Sequence, residues 1–257
     1  MPLTEEGEGV VLAAYWRFYN EVASAQLATW LPKLPGRVLD LSETHRFAAQ
    51  VAASGHHVIR VVDEVAPETT TGTDATGGAH RGRRDGQVSL VVADRAWPTF
   101  LGDESVDAVV AEQLSGCLAT ESVIEGVVRV MRPGGRLLLR VDSLILGMSR
   151  LAEQNCWAEL SDVPSAEVVL VPSPDGTITR CFSPEQLDEA LTEAGLEVEW
   201  IRPRTVLSPS IVESALQADP GALSQLVEAE LELEPERTGE TAGIHLVACA
   251  RRPLSCP

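Results

Sequence analysis

The feature that most constrains the fold of this chain is the repeated alternation of short apolar runs with helical segments. Strand-like runs lie at 36–41, 57–63, 88–94, 106–112, 136–142 and 244–250. Apolar residues recur at helical spacing between several of them, as in RFAAQVAAS after the first run and at 123–131 before the fifth. Because parallel strands need crossover connections, the pattern predicts an α/β fold with a doubly wound, mostly parallel sheet.

Two helices have clear sequence boundaries. Helical spacing between residues 11 and 25 predicts an amphipathic N-terminal helix that stops before Pro32 and Pro35, and its apolar stripe consists of Val11, Tyr15, Phe18, Val22 and Ala25. Ser183-Pro184-Glu185-Gln186 has the form of a capping box with Pro at the first helical position, and it predicts a helix that ends at Gly195.

Composition and motifs exclude several classes of function. The 38 acidic residues against 20 basic ones give a net charge of -18, which repels a phosphate backbone and argues against nucleic-acid binding. No apolar stretch is long enough to span a membrane and the first residues are acidic, so we expect a cytoplasmic protein that does not bind membranes. The five cysteines lack C-x-x-C spacing, and His56 and His57 are strand neighbours with opposite orientations, so no metal site is predicted.

A set of ordered motifs carries a family resemblance. The motifs are VLDL (38–41), VVD (61–63), VVAD (91–94), VDAVVAEQ (106–113), VMRPGGRLLL (130–139), FSPEQLDEALTEAGLEVE (182–199) and HLVACARR (245–252). In this order they resemble the class I S-adenosylmethionine (SAM)-dependent methyltransferases, specifically the type 11 small-molecule group, over about residues 10 to 250. The resemblance implies a seven-stranded, Rossmann-like sheet whose last two strands, LEVEWI and IHLVACA, form an antiparallel hairpin.

The resemblance also implies how one domain over 1–257 is organised and where its site lies. Residues 1–35 would be a helical lid, and 148–181 and 203–243 would be insertions. The Gly- and Thr-rich composition of 67–87, without apolar periodicity, itself predicts a flexible loop, and the sequence predicts a helix over 220–232 within the second insertion. The cofactor would be SAM, and the loop after the first strand, with Asp40, Ser42 and Thr44, would hold its methionine end. Asp63 would bind the ribose hydroxyls, and Asp94 would lie near the adenine. Trp16 and Tyr19 would line the substrate pocket, and Glu112 would be a substrate contact or a base.

The loop after the first strand departs from the family pattern. Family members carry a glycine-rich stretch there, whereas this chain has Ser42-Glu43-Thr44-His45-Arg46, apparently one residue shorter. Glycine tolerates positive φ and lets backbone N–H groups approach a ligand, so we expect this loop to follow a different path. When Gly55 is aligned with the glycine that ends the helix in the family, Val62 falls at the position of the ribose-binding acid, and Asp63 lies one residue later.

The leading hypothesis is a SAM-dependent methyltransferase that acts on a small, neutral or cationic metabolite, as a monomer or homodimer. Methyl transfer mainly needs positioning, so the sequence names no catalytic residue. The alternative is a degenerate methyltransferase fold that serves as a non-catalytic binding or regulatory module, with weak or no SAM binding. A third hypothesis keeps the enzyme but uses the pocket for an isomerisation or cyclisation.

Overall fold

The secondary structure follows the predicted alternation. The computed structural model describes residues 12–42, 44–62, 86–94, 98–112, 120–172, 176–233 and 243–254. The strands of this part are β1 (Arg37–Asp40), β2 (His57–Val62), β3 (Val88–Val92), β4 (Val106–Ala111), β5 (Met131–Ser143), β6 (Val169–Pro172), β7 (Ile178–Phe182), β8 (Glu197–Pro203) and β9 (His245–Arg251). Its helices are α1 (Ala13–Trp30), α2 (Arg46–Ala53), α3 (Thr120–Val130), α4 (Leu144–Glu153), α5 (Trp157–Asp162), α6 (Pro184–Glu193), α7 (Pro209–Ala218) and α8 (Leu223–Glu232).

The sheet has the predicted doubly wound topology with an added hairpin. Strands β3, β2, β1, β4 and β5 are parallel neighbours in that order, and β9 then pairs antiparallel with β5 and with β8. This arrangement confirms the predicted mostly parallel sheet and its closing antiparallel hairpin. Two more strands, β6 and β7, come from the segment predicted as an insertion, and β7 extends the sheet in parallel with the end of β5. The described sheet therefore has nine strands.

Both faces of the central strands are covered by helices. Neighbouring strand residues point to opposite faces, so Val38 and Val110 pack with α1 and α2, while Leu39 and Val109 pack with α3 and α6. Strands buried on both faces carry nearly continuous apolar runs, which explains the lack of alternation in the sequence.

Helix α1 ends at Trp30, two residues before Pro32, as the sequence predicts. The predicted stripe is buried at Tyr15, Phe18 and Val22, and these residues pack against α7 and α8 in an apolar cluster. The segment predicted as the 203–243 insertion thus contributes two helices rather than the single helix expected, and α7 is the one that its sequence pattern did not predict.

The Pro133-Gly134-Gly135 turn is accommodated inside a strand. The pairing of β4 with β5 shifts between Val106 and Ala108, which are opposite Met131 and Arg136, so the turn residues form a bulge. Gly134 has φ of +78°, which favours glycine at this position. The capping box is present as predicted, with Ser183 Oγ accepting from the Gln186 N–H at 3.1 Å.

Most of the loop predicted over 67–87 lies outside the described residues. Its last two residues, Gly86 and Gln87, are described and lie directly before β3. Gly86 donates its N–H to the Ala52 carbonyl at 3.0 Å and so anchors the start of β3 to the end of α2. Among the described helices, none combines the length and the apolar composition that crossing a membrane would require.

Candidate functional site

The candidate site lies where the strand order reverses. In the order β3-β2-β1-β4-β5 the connections change direction between β1 and β4, and doubly wound sheets bind ligands at the carboxyl ends of strands at such a point. Asp40 ends β1, Ser42 follows it and Glu112 follows β4. The Glu112 N–H donates to Ser42 Oγ at 3.4 Å, so the two strand ends are joined directly.

Asp40 is fully buried beneath the loop that follows β1. One carboxylate oxygen accepts from the Ser42 N–H at 2.9 Å, and the other lies 3.4 Å from the guanidinium of Arg60 on β2. Burial raises the pKa of Asp40, although the hydrogen bonds from Ser42 and the charge of Arg60 oppose that shift. Arg60 also donates to the Thr44 carbonyl at 2.5 Å, and this hydrogen bond connects the loop to β2.

The glycine-free loop has regular backbone geometry in its described residues. Glu104 and Asn155 are the non-glycine residues with positive φ in the described part of the chain, so Ser42, Thr44 and Arg46 need no left-handed conformation. His45 has φ of -77° and ψ of -5°, and α2 begins directly after it without a side-chain cap on its first turn. The described residues of this loop therefore do not need glycine for their backbone conformation, and the different path remains a prediction.

Glu112 lies between two arginines from different strands. Its Oε2 is 3.3 Å from Nε of Arg140 on β5, and its Oε1 pairs with Nη2 of Arg204, directly after β8. Arg204 also donates to Gln26 Oε1 on α1 at 2.6 Å. The Arg204 side chain is 0% exposed and that of Glu112 is 7% exposed. The Glu112 carboxylate, directly after β4, thus connects β5 with the end of β8 and, through Arg204, with α1.

A second set of contacts connects α1 with the start of β9. The hydroxyl of Tyr19 is 2.8 Å from Nδ1 of His245 and accepts from Arg140 at 3.3 Å. His245 Nε2 is 3.6 Å from Asp142 Oδ1, and the other Asp142 oxygen accepts from Arg150 at 2.6 Å.

The ionisation of this second set follows from burial and charge. Burial lowers the pKa of His245 well below its usual value, and the positive charges of Arg140, Arg204 and Arg150 lower it further. A neutral imidazole with its proton on Nε2 accepts a hydrogen bond from the Tyr19 hydroxyl at Nδ1 and directs its Nε2–H toward Asp142. Burial also raises the pKa of Tyr19, although the charges of Arg140 and Arg204 oppose that shift.

The structure brings together some of the predicted site residues and separates others. Asp40, Ser42, Tyr19 and Glu112 belong to one continuous set of polar contacts. Phe18, predicted as a core residue, is fully buried.

Trp16 is half-buried, with its ring 5.2 Å from that of Tyr19. Thr44 has an exposed side chain, and Asp94 is exposed two residues after β3 ends. Asp63 lies outside the described residues. The functional roles of all these residues remain predictions.

The two adjacent histidines have separate structural partners. His56 Nδ1 accepts from the Gly36 N–H at 3.1 Å, whereas His57 Nε2 is 3.2 Å from Ser89 Oγ on β3. Across the described ranges, no three His, Cys, Asp or Glu side chains lie close enough together to hold a metal ion.

Sequence reasoning missed seven residues of the polar set: Gln26, Arg60, Arg140, Asp142, Arg150, Arg204 and His245. Arg60 and Arg140 had a usable signal, since each interrupts an apolar strand run in which a buried charge must find a partner. Gln26 and Arg204 had no such signal, because their meeting depends on how α1 crosses the sheet.

Comparisons with known proteins agree on the fold. No family model matches the sequence, and no curated protein matches it. A putative SAM-dependent methyltransferase from Listeria monocytogenes is similar in structure, with a TM-score of 0.57 and 10% identity over 91% of this chain and 99% of that one. The 1,6-didemethyltoxoflavin-N1-methyltransferase of Burkholderia thailandensis, solved with 1,6-didemethyltoxoflavin and S-adenosylhomocysteine, has a TM-score of 0.52 and 19% identity over 94% and 79% of the two chains.

The [4+2]-cyclase SpnF is also similar, with a TM-score of 0.51 and 18% identity over 91% of this chain and 80% of that one. At such low identities these likenesses establish the architecture alone. The chain has the Rossmann-like, class I methyltransferase fold, and solved proteins with this fold include both methyltransferases and a cyclase.

Proposed function

We propose that this protein is a SAM-dependent methyltransferase that acts on a small-molecule metabolite. The observation that carries the proposal is the joining of the β1 and β4 ends through Ser42 and Glu112 at the point where the strand order reverses. The likeness to the toxoflavin methyltransferase, which was solved with a small substrate and S-adenosylhomocysteine, supports a small acceptor. When bound, SAM supplies an electrophilic methyl group to a nucleophilic atom of the acceptor.

We propose that residues around the β1 loop hold the methionine end of SAM. The first turn of α2 has backbone N–H groups without a side-chain cap, and such groups attract a carboxylate. Ser42 and Thr44 would hold this end from the loop, while Asp40 would act through the loop by accepting the Ser42 N–H. Asp94, two residues after β3, would face the adenine, and Asp63 would bind the ribose.

Substrate recognition would fall to the region between α1 and the ends of β4 and β5. Tyr19 is held with its hydroxyl between Arg140 and His245, and Glu112 lies next to the β1 loop. We propose that these two residues and Trp16 face the acceptor. Their task is orientation, since in-line methyl transfer gains most of its rate from correctly placed reactants.

The proposal includes a cytoplasmic location and a monomeric or homodimeric state. The described cysteines support a reducing compartment, because Cys156, Cys181 and Cys249 are all free. Burial raises the pKa values of Cys181 and Cys249 to about 12, so both thiols stay protonated and unreactive.

Isothermal titration with SAM and with S-adenosylhomocysteine is the first test, and we expect both to bind. Absence of binding at millimolar concentrations of both ligands would refute the proposal. Transfer of a labelled methyl group to a panel of small nucleophiles is the second test. Binding of SAM with no transfer to any acceptor would favour the binding module, and conversion of an acceptor without loss of the SAM methyl group would favour a cyclase or isomerase.

A further inference from the structure

The polar set above the sheet edge carries an excess of positive charge. Arg140, Arg150 and Arg204 contribute three cations, whereas Glu112 and Asp142 contribute two anions. Among the residues that the structure describes, the cations exceed the anions here by one charge, because His245 is neutral. In a chain with a net charge of -18, the local charge at this site is thus opposite to that of the whole protein.

The neighbouring ionisable groups within the described ranges do not remove this excess. Arg60 and Asp40 form their own pair at 3.4 Å, and they cancel each other. Arg202 and Glu230, the next pair along β8 and α8, also carry opposite charges and interact with each other. A buried cation without a counter-charge costs free energy, so the site favours an additional anion.

Unused hydrogen-bond donors are present at the same place. Nε of Arg204 and Nε of Arg140 are buried and have no hydrogen-bond acceptor within the described part of the chain. Arg140 Nε lies 3.3 Å from Glu112 Oε2, close enough for an ion pair but not oriented to donate a hydrogen bond. A guanidinium is built to bind carboxylates through two parallel N–H groups, so each arginine retains binding capacity.

We propose that the acceptor substrate carries a carboxylate that binds to Arg204 and Arg140, and that Glu112 takes this place when the substrate is absent. This inference rests on the proposed function and specifies its substrate class. It revises the expectation of a neutral or cationic metabolite, which followed from the net charge of the chain. Glu112 already demonstrates that one carboxylate fits between these two guanidiniums.

The test compares acetate with its neutral counterpart acetamide by calorimetric titration at fixed ionic strength. Wild-type protein should bind acetate and not acetamide. Glu112→Gln should bind acetate about tenfold more tightly or better, because it removes the competing carboxylate and raises the excess charge from one to two. Arg204→Lys should bind acetate about tenfold more weakly, since lysine keeps the charge and loses the planar fork.

Glu197→Gln is the matched control, because Glu197 forms an exposed pair with Arg251 away from the site. It should leave acetate binding unchanged. Equal responses of wild-type protein to acetate and acetamide would overturn the inference, and this comparison needs no variant to fold. Acetate affinity that is unaltered in folded Glu112→Gln and Arg204→Lys would also overturn it, because it would assign the two arginines a purely structural role.

The outcome is separable from that of the proposed function. SAM binding in the absence of acetate tests the cofactor alone. Acetate binding without SAM binding would preserve a carboxylate site on a protein that is not a methyltransferase. SAM binding without acetate discrimination would preserve the methyltransferase and remove only the carboxylate from its substrate.

Discussion

His245→Gln should remove a defined part of the acid sensitivity of the fold. In the folded protein the His245 pKa lies well below 6.5 because burial and the charges of Arg140, Arg204 and Arg150 oppose protonation. In the unfolded chain the imidazole binds a proton below about pH 6.5. The unfolded state therefore holds more protons in this window, and the contribution of His245 to stability is complete above pH 6.5 and falls as the pH falls below it.

The magnitude follows from the proton equilibrium of the unfolded state. Between about pH 7.5 and 5.5 an imidazole with a pKa of 6.5 stabilises the unfolded chain by RT ln(11/1.1), or about 1.4 kcal/mol, while the folded state gains nothing. Glutamine cannot titrate. Wild-type protein should thus lose about 1.4 kcal/mol more stability than His245→Gln over this interval.

Urea denaturation followed by tryptophan fluorescence at the two pH values measures this difference. Tyr19→Phe is the matched control, since it removes the 2.8 Å hydrogen bond to His245 and leaves the imidazole in place. That variant should be less stable than wild type at both pH values and should retain the full pH dependence. If wild type and His245→Gln lose the same stability on acidification, the assignment of a neutral, buried imidazole is wrong.

Three further predictions concern the β1 loop and its surroundings. The double substitution of glycine for Thr44 and Arg46 should lower the free energy of unfolding by about 1–2 kcal/mol. Both side chains are exposed and neither residue has positive φ, so glycine only adds freedom to the unfolded chain. Calorimetric SAM titration should show no gain in affinity, and tighter binding would contradict the regular backbone of the loop. Arg60→Ala should cost about 3–5 kcal/mol because it leaves the buried Asp40 carboxylate without its cation. Arg251→Ala removes an exposed pair and should cost far less, and equal costs in urea denaturation would refute the distinction. If SAM binds, Asp94→Asn should weaken it by about 10- to 150-fold, the loss expected for a hydrogen bond to a charged group, and an unchanged dissociation constant in a folded variant would remove Asp94 from the site.

The sequence was sufficient for the architecture because that architecture depends on local patterns. Strands buried on both faces appear as apolar runs, and helices appear through their spacing and their end signals, such as the Ser183 capping box. The β6–β7 hairpin was missed because its strands have only four and five residues and pair mainly with each other. The sequence between them does carry a turn signal, Pro174-Asp175-Gly176, which could have identified the hairpin.

The candidate site was only partly predictable for a different physical reason. Residues at strand ends, such as Asp40 and Glu112, can be found by position, since the carboxyl ends of parallel strands share one edge. The partners that determine their charge come from distant elements: Arg204 meets Glu112 across 92 positions, and His245 meets Tyr19 across 226. The sign of the local charge therefore emerges only when the whole chain is folded, and the net charge of the sequence does not reveal it.

The ties between α1 and the C-terminal part of the chain also determine when α1 can dock during synthesis. Tyr19 needs His245, and Gln26 needs Arg204, which lies 178 positions later. A ribosome makes α1 long before these polar partners. Leu27 and Trp30 of α1 can pack on α2 and β1 early, whereas Tyr15, Phe18 and Val22 need α7 and α8. Because non-local contacts form only after the intervening loop closes, docking of this aromatic face completes the fold rather than nucleating it. Ribosome-bound chains that stop before residue 204 should consequently keep the aromatic face of α1 accessible to proteases long after the parallel core has formed.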